Sequence, residues 1–432
     1  MINRVKKMLL VLVMGAGVGF VLLLLVYMIP TEPIIKNAKA SVDIFKVEGT
    51  EPQVVHGYKA TSLDNYTDAW MMRNAFYNGE ESVLQKCLNV YCYGYNDGRT
   101  NDVRESMIAW LEGEEGYERI SYARYWHGYL VILKPLLCFF DYGDIRGILK
   151  AIELAMLVYV CVLLERRDKT RYIPAFLAAM VCAEFHIIGM SMQYSWVFMI
   201  AMTYSIIILK GYPDIIKKPG TDILFLLIGM TTSYFDFLTY PLFTLGVPLL
   251  FLMICMGGSE KGSVLPVTAI KNSICWVIGY VGMWVEKWIL CTLLTGENLF
   301  ADAMKAIRER SGRDVLGKQI GYPDVLRGNI WILCKYPYVL VCLAAIVILF
   351  IVGRKESENT FSKGAFIAYT GIAVLPFCWY AISMNHSYAH CLMTYRGLCV
   401  TVFAMLCAIS EAVVLIAQLP GIIRSKRENG KK

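Results

Sequence analysis

Two aspartates, Asp64 and Asp68, lie four residues apart in the segment TSLDNYTDAWMMRNAFYNG. A carboxylate at such a position can serve as a general base that takes a proton from an attacking hydroxyl. The segment also has helical spacing, so Asp64 can instead be an N-cap and Asp68 can complement the helix dipole. The sequence leaves both interpretations open.

A second cluster is the run Arg124, Tyr125, Trp126 and His127. It combines a fixed cation, a titratable ring and two aromatic side chains. One interpretation is an aromatic belt at a membrane surface with an arginine that reaches the headgroups. The other is a clamp for a lipid-linked phosphate, because the arginine fork matches phosphate geometry.

Charged residues also interrupt apolar stretches. Asp236 lies in TSYFDFLTYP and Lys287 lies in GYVGMWVEKW. A charge in the middle of a bilayer costs roughly 2.5–3.5 kcal/mol, so such residues usually face a cavity or sit at a turn. Pro241 suits a turn after Asp236, and Glu286 offers Lys287 a simple ion-pair partner.

The segment NHSYAHCLMTYRG contains His386, His390, Tyr395 and Arg396. Histidines four apart on a helix can bind zinc, but the sequence shows no third ligand nearby. Contacts to phosphate or sugar are the favoured interpretation, because Arg396 is in the same segment. We therefore predict no metal site and no cofactor; nothing in the sequence supports a divalent cation, although one is not excluded.

The composition indicates the elements that must position these residues. The chain is 57% hydrophobic and 18% charged, and the apolar residues come in blocks of the length that spans a bilayer as helix. This predicts an all-α polytopic membrane protein with about ten transmembrane helices (range 9–12), at 8–29, 145–164, 172–190, 194–210, 221–235, 238–256, 273–294, 331–353, 364–383 and 397–418. The net charge of +7 does not indicate nucleic acid, because the basic residues form short runs between apolar blocks.

The predicted organisation is a single integral membrane domain over 1–432. It comprises the first transmembrane helix at 8–29, an extracytoplasmic loop at 31–144, the remaining spans within 145–418 and a cytoplasmic tail at 419–432. The apolar block at 8–29 is too long for a cleaved signal peptide. Basic runs at 166–171, 217–218, 261–271 and 354–363 place both termini in the cytoplasm. All five histidines then fall on the outer half.

The large loop is predicted to be structured. Residues 63–77 have helical spacing, and 121–140 read as a helix lying at the membrane interface. The later outer loop ADAMKAIRERSGRDV reads as a surface amphipathic helix. Whether Cys87 and Cys92 form a disulfide is left open.

The order of these features resembles the GT-C superfamily of membrane glycosyltransferases, which includes protein O-mannosyltransferases and the aminoarabinose transferases of lipid A. Uncharacterised GT-C-like proteins of Gram-positive bacteria are similar as well. Those enzymes have many spans, a large first outer loop and an acidic motif soon after the first helix. The matching segments here are LDNYTDAWMM, ARYWHGYLVILKPLL, TSYFDFLTYP, GYVGMWVEKW and NHSYAHCLMTYRG. The acidic motif departs from the paired acids of many members, because three residues separate Asp64 from Asp68.

This resemblance implies transfer of a sugar from a polyprenyl-phosphate carrier to an extracytoplasmic acceptor at the bacterial cytoplasmic membrane. Asp64, or alternatively Asp68, would be the base, and the leaving phosphate would need fixed cations. The implied partners are the lipid-linked donor, membrane lipids and the acceptor, with no nucleic acid. A transporter or flippase for a lipid-linked saccharide would use the same cations without a base, and a non-catalytic scaffold would need fewer polar residues on one side. The implied donor-binding residues are Arg124, Tyr125, Trp126, His127, Asp236, Lys287, His386, His390, Tyr395 and Arg396.

Overall fold

The computed structural model describes residues 2–95, 102–218, 220–257, 264–355 and 361–429, and these residues are mostly helical. The first helix, α1, spans Ile2–Tyr27. The region after it contains α2 (Glu32–Ala40), α3 (Val42–Glu48), α4 (Asn65–Phe76), α5 (Val83–Asn89), α6 (Val103–Glu112) and α7 (Leu130–Leu137). We call residues 31–141 the loop region.

The rest of the chain forms a helical bundle. Its helices are α8 (Tyr142–Glu165), α9 (Ile173–Cys182), α10 (Phe185–Ile188), α11 (Met192–Gly211), α12 (Asp214–Lys217), α13 (Thr221–Phe235), α14 (Leu242–Met256), α15 (Val264–Thr295), α16 (Leu299–Ser311), α17 (Tyr322–Leu333), α18 (Tyr336–Lys355), α19 (Lys363–Ile382), α20 (Met384–Ala389), α21 (Cys391–Thr394) and α22 (Leu398–Asn429). Short 3₁₀ turns occur at Lys59–Thr61, Thr170–Tyr172 and Tyr395–Gly397.

The described strands form two small antiparallel pairs. Strand β1 (Cys92–Gly94) pairs with β2 (Glu118–Ile120) in the loop region, with Cys92 opposite Ile120. Strand β3 (Asp314–Val315) pairs with β4 (Lys318–Gln319) just after α16. Neither pair forms a sheet that could make a core of its own, so the helices supply the hydrophobic core.

Within the described residues, six helices are long and apolar enough to cross a membrane, which agrees with an all-α membrane protein. A bent pair, α17 with α18, turns by 73° at its break, and α9, α13 and α14 lie in shorter apolar helices. The described residues therefore contain six candidate spans, or seven if the bent pair is one span, and the prediction of about ten spans stays a prediction. The six long helices are Asn3–Tyr27, Tyr142–Glu165, Met192–Gly211, Val264–Thr295, Lys363–Ile382 and Cys391–Gln418.

Helices α13 and α15 cross at their closest approach through two glycines. A Cβ atom on Gly229 would lie 2.1 Å from the backbone oxygen of Trp276, and one on Gly279 would lie 2.1 Å from that of Leu226. Only glycine allows the two backbones to come this close. This crossing fixes the rotation of α15, and with it the direction in which the aromatic side chains of that helix face.

One buried cation holds the loop region together, and another anchors it to the bundle. The Lys134 ammonium donates to the backbone oxygen of Ala75, at the end of α4, over 2.7 Å. Arg146 on α8 donates to both carboxylate oxygens of Glu48, over 2.6 and 2.9 Å. The loop region is thus a packed layer on the bundle.

The sequence predicts one interfacial helix over residues 121–140, and this prediction is wrong. Only Leu130–Leu137 are helical, because His127 adopts a positive φ of 56° and breaks the preceding turn. The Gly128 N–H then donates to the backbone oxygen of Tyr234 on α13 over 2.8 Å. Residues 121–129 therefore line the bundle instead of lying on its surface. The side chains of the predicted tail after residue 418 and residues 261–263 and 356–360 of two predicted basic runs lie outside the described residues.

Candidate functional site

Asp68 is buried and fully occupied by hydrogen bonds. Its Oδ2 accepts from the Tyr142 hydroxyl at 2.5 Å and from the Ser191 hydroxyl and Met192 N–H at 3.2 and 2.9 Å, while Oδ1 accepts from Gln193 N–H at 2.9 Å. Burial raises the pKa of Asp68 to about 6. These contacts make Asp68 the cap of α11. Asp68 itself belongs to α4 and lies 124 residues before Met192 in the chain.

Asp64 is also buried but keeps one oxygen free. Its Oδ1 accepts from the Thr67 N–H at 3.0 Å, the N-cap contact that the sequence predicts for α4. Its Oδ2 makes no hydrogen bond to any residue that the structure describes. Burial raises the pKa of Asp64, and the positive charge of Arg396 opposes that shift. Of the two acids, Asp64 is the one with an acceptor to spare.

Trp126 and His127 pack inside the protein. The Trp126 indole donates to the backbone oxygen of Met283 at 2.6 Å. His127 Nε2–H donates to the backbone oxygen of Tyr122 at 2.7 Å, and its Nδ1 lies 3.1 Å from the Tyr129 hydroxyl. Burial lowers the pKa of His127 to about 3, so the ring is neutral at physiological pH. The contacts hold the 121–129 segment against α13 and α15.

Lys287 and Asp236 both have structural partners, a distant one for Lys287 and a local one for Asp236. The Lys287 ammonium is buried and donates to the backbone oxygen of Leu88 at 2.9 Å, at the carboxyl end of α5, where a cation is favoured. Asp236 lies at the turn between α13 and α14, where its carboxylate accepts from the Thr239 N–H at 3.1 Å. Burial raises the pKa of Asp236 to about 6. Lys287 does not pair with Glu286, the neighbour that sequence favours.

The 386–396 segment divides into two parts. Tyr395 and Arg396 are buried, and the Arg396 guanidinium donates to the backbone oxygens of Leu392, Ala60 and Ala183 over 2.8–3.2 Å. His390 is exposed on the opposite part, with its ring centroid 4.8 Å from that of His386. Arg396 thus ties the loop region to the bundle, and of these four residues His386 is the one that lines a cavity.

That cavity has a volume of about 580 Å³ and lies between α14, α15, α16 and α19. Its volume falls within the range of about 300–1,000 Å³ that is common for ligand pockets. Arg124, Tyr125 and His386, all predicted from sequence, line it together. The other candidate residues do not line it. The lining also includes Leu242, Trp276, Tyr280, Trp284, Trp288, Ile307, Arg310 and Trp379.

One wall of the cavity is an aromatic stripe formed by Trp276, Tyr280, Trp284 and Trp288 of α15. Their spacing of four residues puts them on one helix face, over about 18 Å at 1.5 Å per residue. The Tyr280 hydroxyl and the Trp284 indole N–H are buried and have no hydrogen-bond partner among the described residues, and the same is true of the Trp379 indole N–H. These three buried donors have no acceptor among the described residues, although the wall around them is otherwise apolar.

The cations gather in one part of the cavity lining. His386 Nε2–H donates to the backbone oxygen of Leu238 at 2.8 Å, which leaves its Nδ1 as the acceptor for the Arg310 Nη1–H at 3.1 Å. Burial lowers the pKa of His386 well below its usual value, so the ring is a neutral acceptor that orients Arg310. Arg124 pairs with Asp302 at 2.9 Å. The guanidinium of Arg310 also lies 5.9 Å from the ring centroid of Tyr125.

Arg310 and the aromatic stripe are the parts of this site that sequence reasoning missed. The predicted surface helix at 301–315 does contain Arg310, but amphipathicity alone did not single out the arginine. The structure confirms the helix as far as Ser311, whereas Asp314–Val315 form β3. The stripe had a readable signal, because four aromatic residues at intervals of four are unusual on one apolar helix. Cys87 and Cys92 are free, buried thiols. Across the described ranges, no three His, Cys, Asp or Glu side chains gather as metal ligands would.

Comparison with known proteins adds no relative: no protein-family model, no curated protein and no solved structure matches this chain.

Proposed function

We propose that this chain is a GT-C-type membrane glycosyltransferase that takes a sugar from a polyprenyl-phosphate carrier. The observation that carries the proposal is the cavity beside α15, where an aromatic, apolar wall meets two arginines. A polyprenyl phosphate has the same division, with a long apolar chain and a compact anionic head. The apolar polyprenyl tail matches the aromatic stripe, and the phosphate matches Arg124 and Arg310.

The arginines have a chemical role in this proposal. When the anomeric carbon is attacked, the bond to the carrier phosphate breaks and negative charge grows on the leaving oxygen. Fixed cations in a site poor in water stabilise that charge more strongly than solvent would. Arg310 suits this role, because neutral His386 orients its guanidinium and uses only one of its five N–H donors.

The acceptor hydroxyl must lose its proton, and we assign Asp64 as the base. Its free Oδ2 and its raised pKa support the assignment, since a base works best with a pKa nearer the operating pH. Asp68 is the weaker candidate because four donors already occupy its oxygens. No aspartate or glutamate is among the described residues that line the cavity, so the acceptor would approach Asp64 from outside the donor cavity.

That same observation favours a second candidate function. A transporter or flippase for a lipid-linked saccharide would use the aromatic stripe and the arginines, and it would need no carboxylate in the cavity. The two functions differ in their products. A transferase consumes the lipid-linked sugar, whereas a flippase moves it intact between leaflets.

In the proposed topology the chain crosses the membrane about ten times. Both termini are cytoplasmic, and the loop region and the cavity's arginines are extracytoplasmic. Single cysteines at exposed positions of the loop region, such as Glu115, and of α16, such as Lys305, should then react with a membrane-impermeant thiol reagent in right-side-out vesicles. Reaction only after the vesicles are opened would contradict this orientation.

The experiment that tests the function uses the purified chain in lipid nanodiscs with polyprenyl-phosphate sugars labelled in the sugar. We expect label to leave the lipid fraction when an envelope extract supplies the acceptor, and to stay there with Arg310→Gln. Quantitative recovery of the intact lipid-linked sugar, with movement between leaflets in proteoliposomes, would replace the transferase by the flippase.

A further inference from the structure

A second concave surface lies on the other side of α20 from the aromatic cavity. His386 lines the aromatic cavity, whereas Tyr388 and Ala389, two and three residues later, line a groove of about 850 Å³. The chain after α16 makes the same passage, because Arg310 lines the cavity and Lys318 lines the groove. We call this second surface the cationic groove. It adjoins the proposed donor site without being part of it.

The charge of the cationic groove is strongly positive. Four basic side chains line it against one acidic side chain, Asp324, which leaves a formal charge of +3. Arg327 and Lys335 make no side-chain hydrogen bond or ion pair with the residues that the structure describes, so their charges are available to a ligand. The four basic residues are Lys59, Lys318, Arg327 and Lys335. A concave surface of one sign concentrates ligands of the opposite sign.

The groove also contains an exposed aromatic residue. Trp331 lines it with 66% of its surface accessible, four residues from Arg327 and from Lys335 on either side along the chain. On a helix this spacing puts Arg327 and Trp331 on one face. An exposed indole face with cations on either side suits a ligand that has both a ring face and negative charge.

We propose that the cationic groove binds an anionic saccharide, meaning a sugar that carries phosphate or carboxylate groups. As the acceptor site of the reaction, a role that rests on the proposed transferase function, it would present such a saccharide next to the donor cavity. Two contacts connect the groove with Asp64. Ala60 lines the groove and its backbone oxygen accepts from Arg396, the cation whose charge acts on the Asp64 carboxylate.

The test measures binding directly, by isothermal titration calorimetry on the full chain in nanodiscs. The probes are glucose 1,6-bisphosphate, glucose and inorganic pyrophosphate. We expect the bisphosphate to bind and glucose not to bind. The double variant Arg327→Gln/Lys335→Gln should weaken binding of the bisphosphate at least tenfold. The control Lys305→Gln/Arg308→Gln, which removes two exposed charges of α16 outside the groove, should change that affinity less than twofold. Trp331→Ala should weaken binding of the bisphosphate more than binding of pyrophosphate.

The source of the saccharide is resolved in a second arm with nanodiscs that contain phosphatidylinositol 4-phosphate. If this lipid competes with the bisphosphate, the ligand of the groove is a lipid-linked saccharide. If the lipid does not compete, the ligand is a free saccharide. Equal bisphosphate affinity in the wild type and in Arg327→Gln/Lys335→Gln would overturn the groove proposal even if sugar transfer proceeds. Binding that depends on these two residues in a protein that transfers no sugar would retain the groove as a site and reject the transferase.

Discussion

The two aspartates of the acidic motif should respond to the same substitution in opposite ways. In Asp68→Asn, the amide can present its oxygen to the three donors now on Oδ2, but its NH₂ group must then face the Gln193 N–H. Loss of one charge-assisted hydrogen bond costs about 1.5–3 kcal/mol, and a buried donor left without an acceptor costs about 1–3 kcal/mol. We expect the folded state to lose the sum of the two costs, roughly 2.5–6 kcal/mol.

Asp64→Asn should leave stability almost unchanged. Asparagine caps a helix about as well as aspartate, so the bond from the Thr67 N–H survives, and Oδ2 has no partner among the described residues to lose. The same variant should abolish sugar transfer, because an amide cannot take a proton from the acceptor hydroxyl. Asp64→Ala would lose the cap as well, at about 1 kcal/mol.

The assay is reversible unfolding of the purified variants in mixed micelles, followed by circular dichroism, with sugar transfer measured on the same preparations. Asp43→Asn, which changes an exposed acid on α3, is the control for the loss of one negative charge. An Asp68→Asn protein as stable as this control would refute the assignment of Asp68 as the cap of α11. Normal turnover by Asp64→Asn would refute its assignment as the base.

Three further predictions follow from other contacts. Arg310→Gln should weaken binding of polyprenyl phosphate roughly 10- to 100-fold, the value of a charge-assisted hydrogen bond, whereas Arg308→Gln on the same helix should not; equal loss in both would remove Arg310 from the site. The pKa of His127 is about 3 in the folded state and 6.5 in the unfolded state, so its contribution to stability is complete above pH 6.5 and falls by about 1.4 kcal/mol per pH unit as the pH drops towards 3. His127→Gln should therefore flatten that part of the curve of stability against pH. An unchanged slope would contradict a buried neutral ring. Gly279→Leu should destabilise the bundle strongly, because Cβ alone would meet the Leu226 backbone oxygen at 2.1 Å, while Gly371→Leu on open α19 surface should not; equal melting temperatures would disprove the close crossing.

Local pattern was enough for the class of fold and for several elements. Apolar blocks predicted the long helices, and the helical spacing around Trp70 predicted α4 with Asp64 as its N-cap. The sequence also singled out Arg124, Tyr125 and His386, and the structure places all three in the lining of one cavity.

Long-range pairing was not readable in the same way. The role of Asp68 depends on the start of α11, and Lys287 binds a backbone oxygen of α5 that lies 199 residues earlier. Nothing at either position shows which distant backbone group it will meet. The turn at His127 escaped prediction for a related reason, since the helix there gives way to contacts with α13 that only the folded chain supplies.

The central claim is that a polyprenyl phosphate lies along the aromatic stripe of α15 with its phosphate at Arg310. The most direct measurement is photocrosslinking with a polyprenyl phosphate that carries a diazirine in its chain, followed by mass spectrometry of the labelled peptides. We expect labels on α15 between Trp276 and Trp288 and on α19 near Trp379, and loss of these labels in Arg310→Gln. Labels concentrated on α8 or α22, or an unchanged pattern in Arg310→Gln, would contradict it.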